Sequence, residues 1–280
     1  MKELVCAVLT PLKEADELAV DARVVPTQWA FLNATGVRYV YVSGTTGESV
    51  SLTVSERKGL VEAWQRTGAK VIAHVGAESI ADAREMAAHA QQAGAVAIGA
   101  MPPTFFKPAT VEALASWLGA VCAAAPGIPC YYYHIPSATA VEFAMYDLML
   151  AMEKTTPNFA GFKYTGLYTY PGLADASRIV AYKGGKYEVL GGREELMLES
   201  MAVGIEAFVG SNFNFAGDLF NLILDEVRAG APAERLRALQ LLGLDLVHAW
   251  MDAAPAGTNG YKYFGVLAGL PVGPPRLPQL

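Results

Sequence analysis

The chain has 280 residues, of which 53% are hydrophobic, 17% charged and 10% aromatic. That composition excludes a disordered chain, and the net charge of −6 argues against a non-specific grip on nucleic acid or an anionic membrane. No run approaches the ~18–20 apolar residues that span a bilayer, and the apolar stretch before Pro11 is too short for a signal peptide, so a cytoplasmic α/β protein is expected.

Short β-rich runs alternate with helical patterns along the chain, the signature of parallel strands joined by crossover helices. The predicted order starts with strands Leu4–Thr10 and Val37–Val42, followed by a helix over Ser55–Gln65. Thr53 stands three residues before Glu56, a capping box that starts this helix near Val54. Strand Val71–Val75, helix Ile80–Gln92, strand Ala95–Ala100 and helix Val111–Ala124 come next. Strand Pro129–Tyr133, helix Val141–Met152, strands Gly161–Tyr164 and Tyr187–Leu190, helix Glu194–Ala202 and strand Ala207–Gly210 complete the alternation. Met145, Met149 and Met152 share one helical face and read as core filling. Beyond Phe215 the pattern is purely helical, with apolar stripes over Leu219–Arg228 and Ala233–Met251.

A length of 280 residues fits two domains or one α/β barrel. Eight β/α units within the first 215 residues favour an eight-stranded (β/α)8 barrel, with residues 216–280 as a C-terminal helical extension. No glycine-rich dinucleotide fingerprint follows the first strand, which weakens a Rossmann reading.

Barrels of this kind carry their chemistry at the C-terminal ends of the strands. These ends read Thr10-Pro11, Ser43-Gly-Thr-Thr-Gly-Glu48, His74-Val-Gly76, Met101-Pro-Pro103, Tyr133-His-Ile-Pro136, Lys163-Tyr-Thr165, Gly191-Gly-Arg-Glu-Glu195 and Gly210-Ser-Asn-Phe-Asn214. Lys163 is the most unusual of them. If Phe162 and Tyr164 face the helices, strand alternation turns Lys163 into the barrel. Desolvation there favours a neutral, nucleophilic amine that can form a Schiff base with a ketone; the alternative is a strand-end ammonium reaching solvent.

The other candidates are equally two-sided. Ser43-Gly-Thr45-Thr46-Gly-Glu48 is either a carboxylate-binding turn or an ordinary strand-to-helix connection. Tyr133 offers a proton-relay phenol, whereas Tyr131 and Tyr132 read as packing. Glu194 and Glu195 either accept hydrogen bonds from substrate hydroxyls or simply begin a helix, and Ser211 and Asn212 are ambiguous in the same way. His134 reads as a hydrogen-bonded loop histidine. The four histidines and three cysteines (Cys6, Cys122 and Cys130) show no metal-ligand spacing, so no metal site is expected.

Taken together, Gly44-Thr-Thr-Gly-Glu48 with Ser51–Arg57, Tyr131–Ser137, Gly161-Phe-Lys163, Val209-Gly-Ser211 and Gly273-Pro-Pro-Arg-Leu-Pro278 resemble the N-acetylneuraminate lyases. These belong to the pyruvate-dependent class I aldolase superfamily that includes dihydrodipicolinate synthase. The resemblance covers nearly the whole chain and is nearest to the animal-type enzymes. It implies Lys163 as Schiff-base lysine, Tyr133 as proton relay, and Thr45 and Thr46 as the loop that binds the substrate carboxylate and positions the tyrosine. It further implies that Thr165, Gly192, Glu194, Glu195 and Ser211 contact sugar-derived hydroxyls. The implied reaction is retro-aldol cleavage of N-acetylneuraminate to N-acetylmannosamine and pyruvate, with no metal or organic cofactor, in a homotetramer.

The chain also departs from that pattern. Glu194 stands where these lyases usually have Asp, and Phe105 stands where bacterial relatives often present a tyrosine to the neighbouring subunit. Ser137-Ala-Thr139 lacks the arginine that dihydrodipicolinate synthases use for carboxylate recognition, which argues against the synthase. Relatives also continue past the position of Leu280 into a further helix. The alternatives are a related aldolase acting on a smaller 2-keto-3-deoxy sugar acid, or a non-catalytic sugar-acid-binding barrel; retention of both Lys163 and Tyr133 argues against the latter.

Overall fold

A computed structural model describes residues 2–14, 18–166, 170–253 and 259–279. Eight parallel strands close into a barrel in sequence order: β1 Leu4–Ala7, β2 Tyr39–Val42, β3 Lys70–His74, β4 Ala97–Ala100, β5 Cys130–His134, β6 Phe159–Tyr164, β7 Glu188–Gly191 and β8 Ala207–Gly210. The helices are α1 Val25–Ala34, α2 Val54–Gln65, α3 Ile80–Gln92, α4 Val111–Cys122, α5 Pro136–Thr139, α6 Met145–Thr155, α7 Tyr170–Ala181, α8 Met197–Ala202, α9 Phe213–Arg228, α10 Ala233–Ala253 and α11 Asn259–Leu267.

Local chemistry sets where these helices begin. The Thr53 hydroxyl accepts from the Glu56 amide, and the Glu56 carboxylate accepts from the Thr53 amide at 2.8 Å, so the capping box is complete and α2 starts at Val54. Ser79 and Thr110 cap α3 and α4 by accepting from Asp82 and Ala113. α6 begins at Met145, four residues later than predicted, because Ala140 sits in the left-handed region and 141–144 run free of the helix. The stretch predicted as one helix from Glu194 opens instead with a 3-10 turn, Glu194–Leu196, ahead of α8. β1 ends at Ala7 rather than Thr10, since the Leu9 carbonyl and the Thr10 hydroxyl turn to Gln28 and Gly47.

The chain divides into two compact units. The first comprises Met1–Lys2, Ile72–Arg193 and Glu199–Phe208. Its core includes Phe162, Tyr132, Tyr164, Leu118 and the Met145, Met149 and Met152 stripe of α6. A Cys122–Cys130 disulfide joins the end of α4 to the start of β5, a pairing that the widely spaced cysteines did not announce. The second unit comprises Glu3–Val71, Glu194–Leu198 and Val209–Leu280, with Trp64, Tyr41, Leu9, Phe213 and Phe220 in its core and Cys6 as a buried thiol.

Candidate functional site

In the first unit, β5 and β6 run in register with Tyr133 opposite Lys163. The outward face of β6 is aromatic. Phe162 meets Tyr132 edge to face at 6.2 Å, and Tyr164 stacks on His134 at 5.4 Å. Alternation therefore turns Lys163 to the opposite, inner face, where it is only 4% exposed. Its Nζ lies 3.9 Å from the centroid of the Tyr133 ring, itself buried. A cation over a phenol face is attracted by the ring quadrupole.

Thr165 and Gly192 close the same end of these strands. The Thr165 hydroxyl donates to the His134 carbonyl at 2.9 Å, which leaves its oxygen lone pairs to accept. The Gly192 amide donates to the Tyr164 carbonyl at 2.8 Å. A Cβ at Gly192 would overlap Thr165 Cγ2 and stand 2.8 Å from the Tyr164 carbonyl oxygen, so only glycine fits. His134 differs from the loop histidine expected. It ends β5 and is buried, with no hydrogen-bond partner at either nitrogen among the described residues. Burial pushes its pKa down to about 4.

In the second unit, Thr45 and Thr46 follow β2 in a turn whose ends, Ser43 and Glu48, both adopt left-handed backbone. Thr45 is exposed; Thr46 is buried and its hydroxyl lies 2.6 Å from that of Ser211 at the end of β8. Glu48 anchors this turn. Its Oε1 lies 2.7 Å from the Lys262 ammonium of α11, and its Oε2 accepts from the Arg276 amide at 2.8 Å. The Glu48 side chain is wholly enclosed and that of Lys262 is 2% exposed. Burial pushes the Lys262 pKa down while the Glu48 charge opposes that shift. Lys262 also donates to the Pro274 carbonyl at 2.8 Å, and the Arg276 guanidinium binds the Glu56 carboxylate and the Ser51 carbonyl.

Glu194 belongs to the same unit. Its Oε1 accepts from the Ser211 amide at 2.8 Å, the Asn212 amide at 2.9 Å and Asn212 Nδ2 at 3.0 Å. Burial first, and the neighbouring Glu195 charge second, push its pKa up to about 7 against the opposing pull of those amides. Glu195 itself is half-buried. Sequence reasoning missed the roles of Lys262, Arg276 and Asn214, whose Nδ2 donates to the Ala7 and Ser211 carbonyls at 2.8 Å each. Arg276 lay in the quoted Gly273–Pro278 segment and Asn214 in the Gly210–Asn214 strand end, while no motif pointed to Lys262. Among the described residues no group of three or more His, Cys, Asp or Glu side chains is placed to hold a metal ion, and no helix is long and apolar enough to cross a membrane.

A model of the dihydrodipicolinate synthetase family matches residues 1–280. The N-acetylneuraminate lyase of Danio rerio is 34% identical over 282 residues, covering 99% of this chain and 90% of that protein. Among solved structures, Proteus mirabilis N-acetylneuraminate lyase aligns with a TM-score of 0.91 at 30% identity, over 99% of this chain and 92% of that one. The sialic acid aldolase of Aliivibrio salmonicida aligns with a TM-score of 0.92 at 29% identity, over 100% and 91%.

Proposed function

The chain belongs to the dihydrodipicolinate synthetase family and is a carbon–carbon lyase, and we propose that it cleaves N-acetylneuraminate to N-acetylmannosamine and pyruvate through a Schiff base on Lys163. The observation that carries this reading is the enclosed Lys163 amine, 3.9 Å above the Tyr133 ring. The amine attacks the C2 ketone of the open-chain sugar acid and water leaves, giving an iminium. Tyr133, assisted by the substrate carboxylate, takes the proton of the C4 hydroxyl. The C3–C4 bond then breaks and its electrons flow into the iminium, which leaves an enamine. Protonation at C3 and attack of water at C2 release pyruvate and restore the amine.

In this reading Thr45 and Thr46 bind the substrate carboxylate and position the tyrosine. Thr165, Gly192, Glu194, Glu195 and Ser211 meet the hydroxyls of the sugar portion. Residues 1–215 form the catalytic barrel and 216–280 a helical extension, and the working molecule is a cytoplasmic homotetramer. Phe105 and Phe106, at 80% and 84% exposure, are an aromatic pair suited to cover by a second copy. Light scattering reads the subunit count.

One observation favours a second reading, an aldolase acting on a smaller 2-keto-3-deoxy sugar acid. The Glu194 Oε1 atom is already occupied by three donors, which leaves fewer acceptors for a long polyol tail. The deciding assay measures pyruvate release from N-acetylneuraminate, N-glycolylneuraminate and 2-keto-3-deoxygluconate side by side. Borohydride with pyruvate should add mass at Lys163, and Lys163→Ala should lose both the adduct and turnover. A Lys163→Ala protein that still releases pyruvate from N-acetylneuraminate sinks the Schiff-base role.

A further inference from the structure

His74 ends β3 and is 2% exposed. Its Nε2 accepts the Met101 amide at 3.3 Å, which fixes the ring against the start of the β4 loop. The contact depends on Gly76, where a Cβ would stand 2.7 Å from the Met101 backbone nitrogen and oxygen and 3.0 Å from His74 Nε2. Held this way, the imidazole meets the Tyr133 ring at 89° with centroids 5.9 Å apart, inside the range of favourable edge-to-face pairs. Among the contacts that restrain Tyr133 within this unit are the Lys163 amine over its ring and the perpendicular imidazole.

We propose that His74 is a positioning residue for Tyr133, holding the tilt of the ring so that its hydroxyl stays where the proton transfer needs it. The proposal rests on the Schiff-base reading above. A tilt about the Cα–Cβ bond moves the hydroxyl more than any other ring atom, because it lies farthest from the pivot. A loosely held ring therefore weakens proton transfer while leaving amine attack on the ketone intact.

Two variants separate the parts of His74. His74→Gln keeps an acceptor within reach of Met101 but removes the ring; His74→Phe keeps a ring and removes the acceptor. With N-acetylneuraminate as substrate, His74→Gln should lose about 10–100-fold in kcat with KM within about threefold of wild type. His74→Phe should recover most of that loss, and both should trap pyruvate with borohydride as wild type does. A Gln variant that turns over like wild type, or a Phe variant no better than Gln, overturns the proposal. A wild-type chain that fails to trap pyruvate overturns the Schiff-base reading and this proposal with it; intact trapping alongside unchanged variant turnover overturns this proposal alone. Should both variants fail to fold, wild-type protein carrying ring-labelled tyrosine decides by NMR. Separate signals for the two edges of Tyr133 are expected, and a single averaged signal overturns the restraint.

Discussion

Replacing Lys262 by Met tests the least solvated charge pair described in the second unit. The ammonium and the Glu48 carboxylate are 2.7 Å apart and almost fully enclosed. At an effective dielectric of ~20, two unit charges at that distance attract by about 6 kcal/mol. Stripping water from the two ions costs several kcal/mol each, so the intact pair adds little net stability. Its removal is asymmetric, because Lys262→Met leaves an enclosed carboxylate without its cation. Such losses run to about 3–5 kcal/mol. The Arg276 amide still donates to Glu48 Oε2 in the variant, which places the expected loss near the lower end, about 3 kcal/mol. That is roughly 100-fold in the folding equilibrium and should appear in urea unfolding, followed by tryptophan fluorescence, as a lower midpoint with unchanged slope. Adding Glu48→Gln to Lys262→Met removes the stranded charge and should restore at least half of the loss. A single variant within about 1 kcal/mol of wild type, or a double variant that loses the sum of both singles, refutes the reasoning.

Three further outcomes follow from the site. Glu194, with its pKa raised from 4.5 to about 7, binds a proton in the folded state that the unfolded chain releases; the resulting stability is full below pH 4.5 and is lost as pH rises through about 7. Glu194→Gln should therefore gain about 3 kcal/mol on wild type between pH 4.5 and 8, and parallel stability curves contradict this. His134 is shifted the other way, from 6.5 to about 4, so its contribution is full above pH 6.5 and is lost as pH falls through about 4. His134→Phe keeps a ring on Tyr164 and should remove about 3 kcal/mol of acid-side loss; a wild-type acid slope in that variant counts against the assignment. Gly192→Ala drives a methyl into Thr165 and toward the Tyr164 carbonyl, and pyruvate release should drop more than about 100-fold; near-wild-type turnover shows that the strand end yields more readily than its geometry suggests.

The barrel was legible because its signals are local. Each strand is a short apolar run between turn residues, and the Phe162-Lys163-Tyr164 alternation offered an inward lysine on the condition, met in the structure, that the two aromatics face outward. The capping box likewise placed the start of α2 near Val54, where the helix begins. α1 was not legible for a definite reason. It buries Gln28 between Val25 and Leu32, and the amide donates to the Leu9 carbonyl, so an apolar-periodicity search passes over it. α7 begins at Tyr170-Pro171-Gly172, which reads as loop punctuation. Lys262 was hidden more deeply, since a lysine in a short helix looks like an exposed cation until Glu48, 214 positions earlier, is placed beside it. Glu194 shows the same limit. Its character as a helix-starting acid was readable, but its three donors come from the end of β8, a pairing that no local pattern encodes.

The 2.6 Å contact between the Thr46 and Ser211 hydroxyls has one more consequence. Two hydroxyls own two protons, and a single bond between them uses only one. Whichever oxygen donates within the pair, the other keeps a proton turned away from it, and a concerted rotation of both O–H groups exchanges the roles without breaking the contact. The pair is thus a reversible donor. Which oxygen holds the spare proton can therefore change with no heavy atom moved, so the pair presents that O–H on either the β2 side or the β8 side.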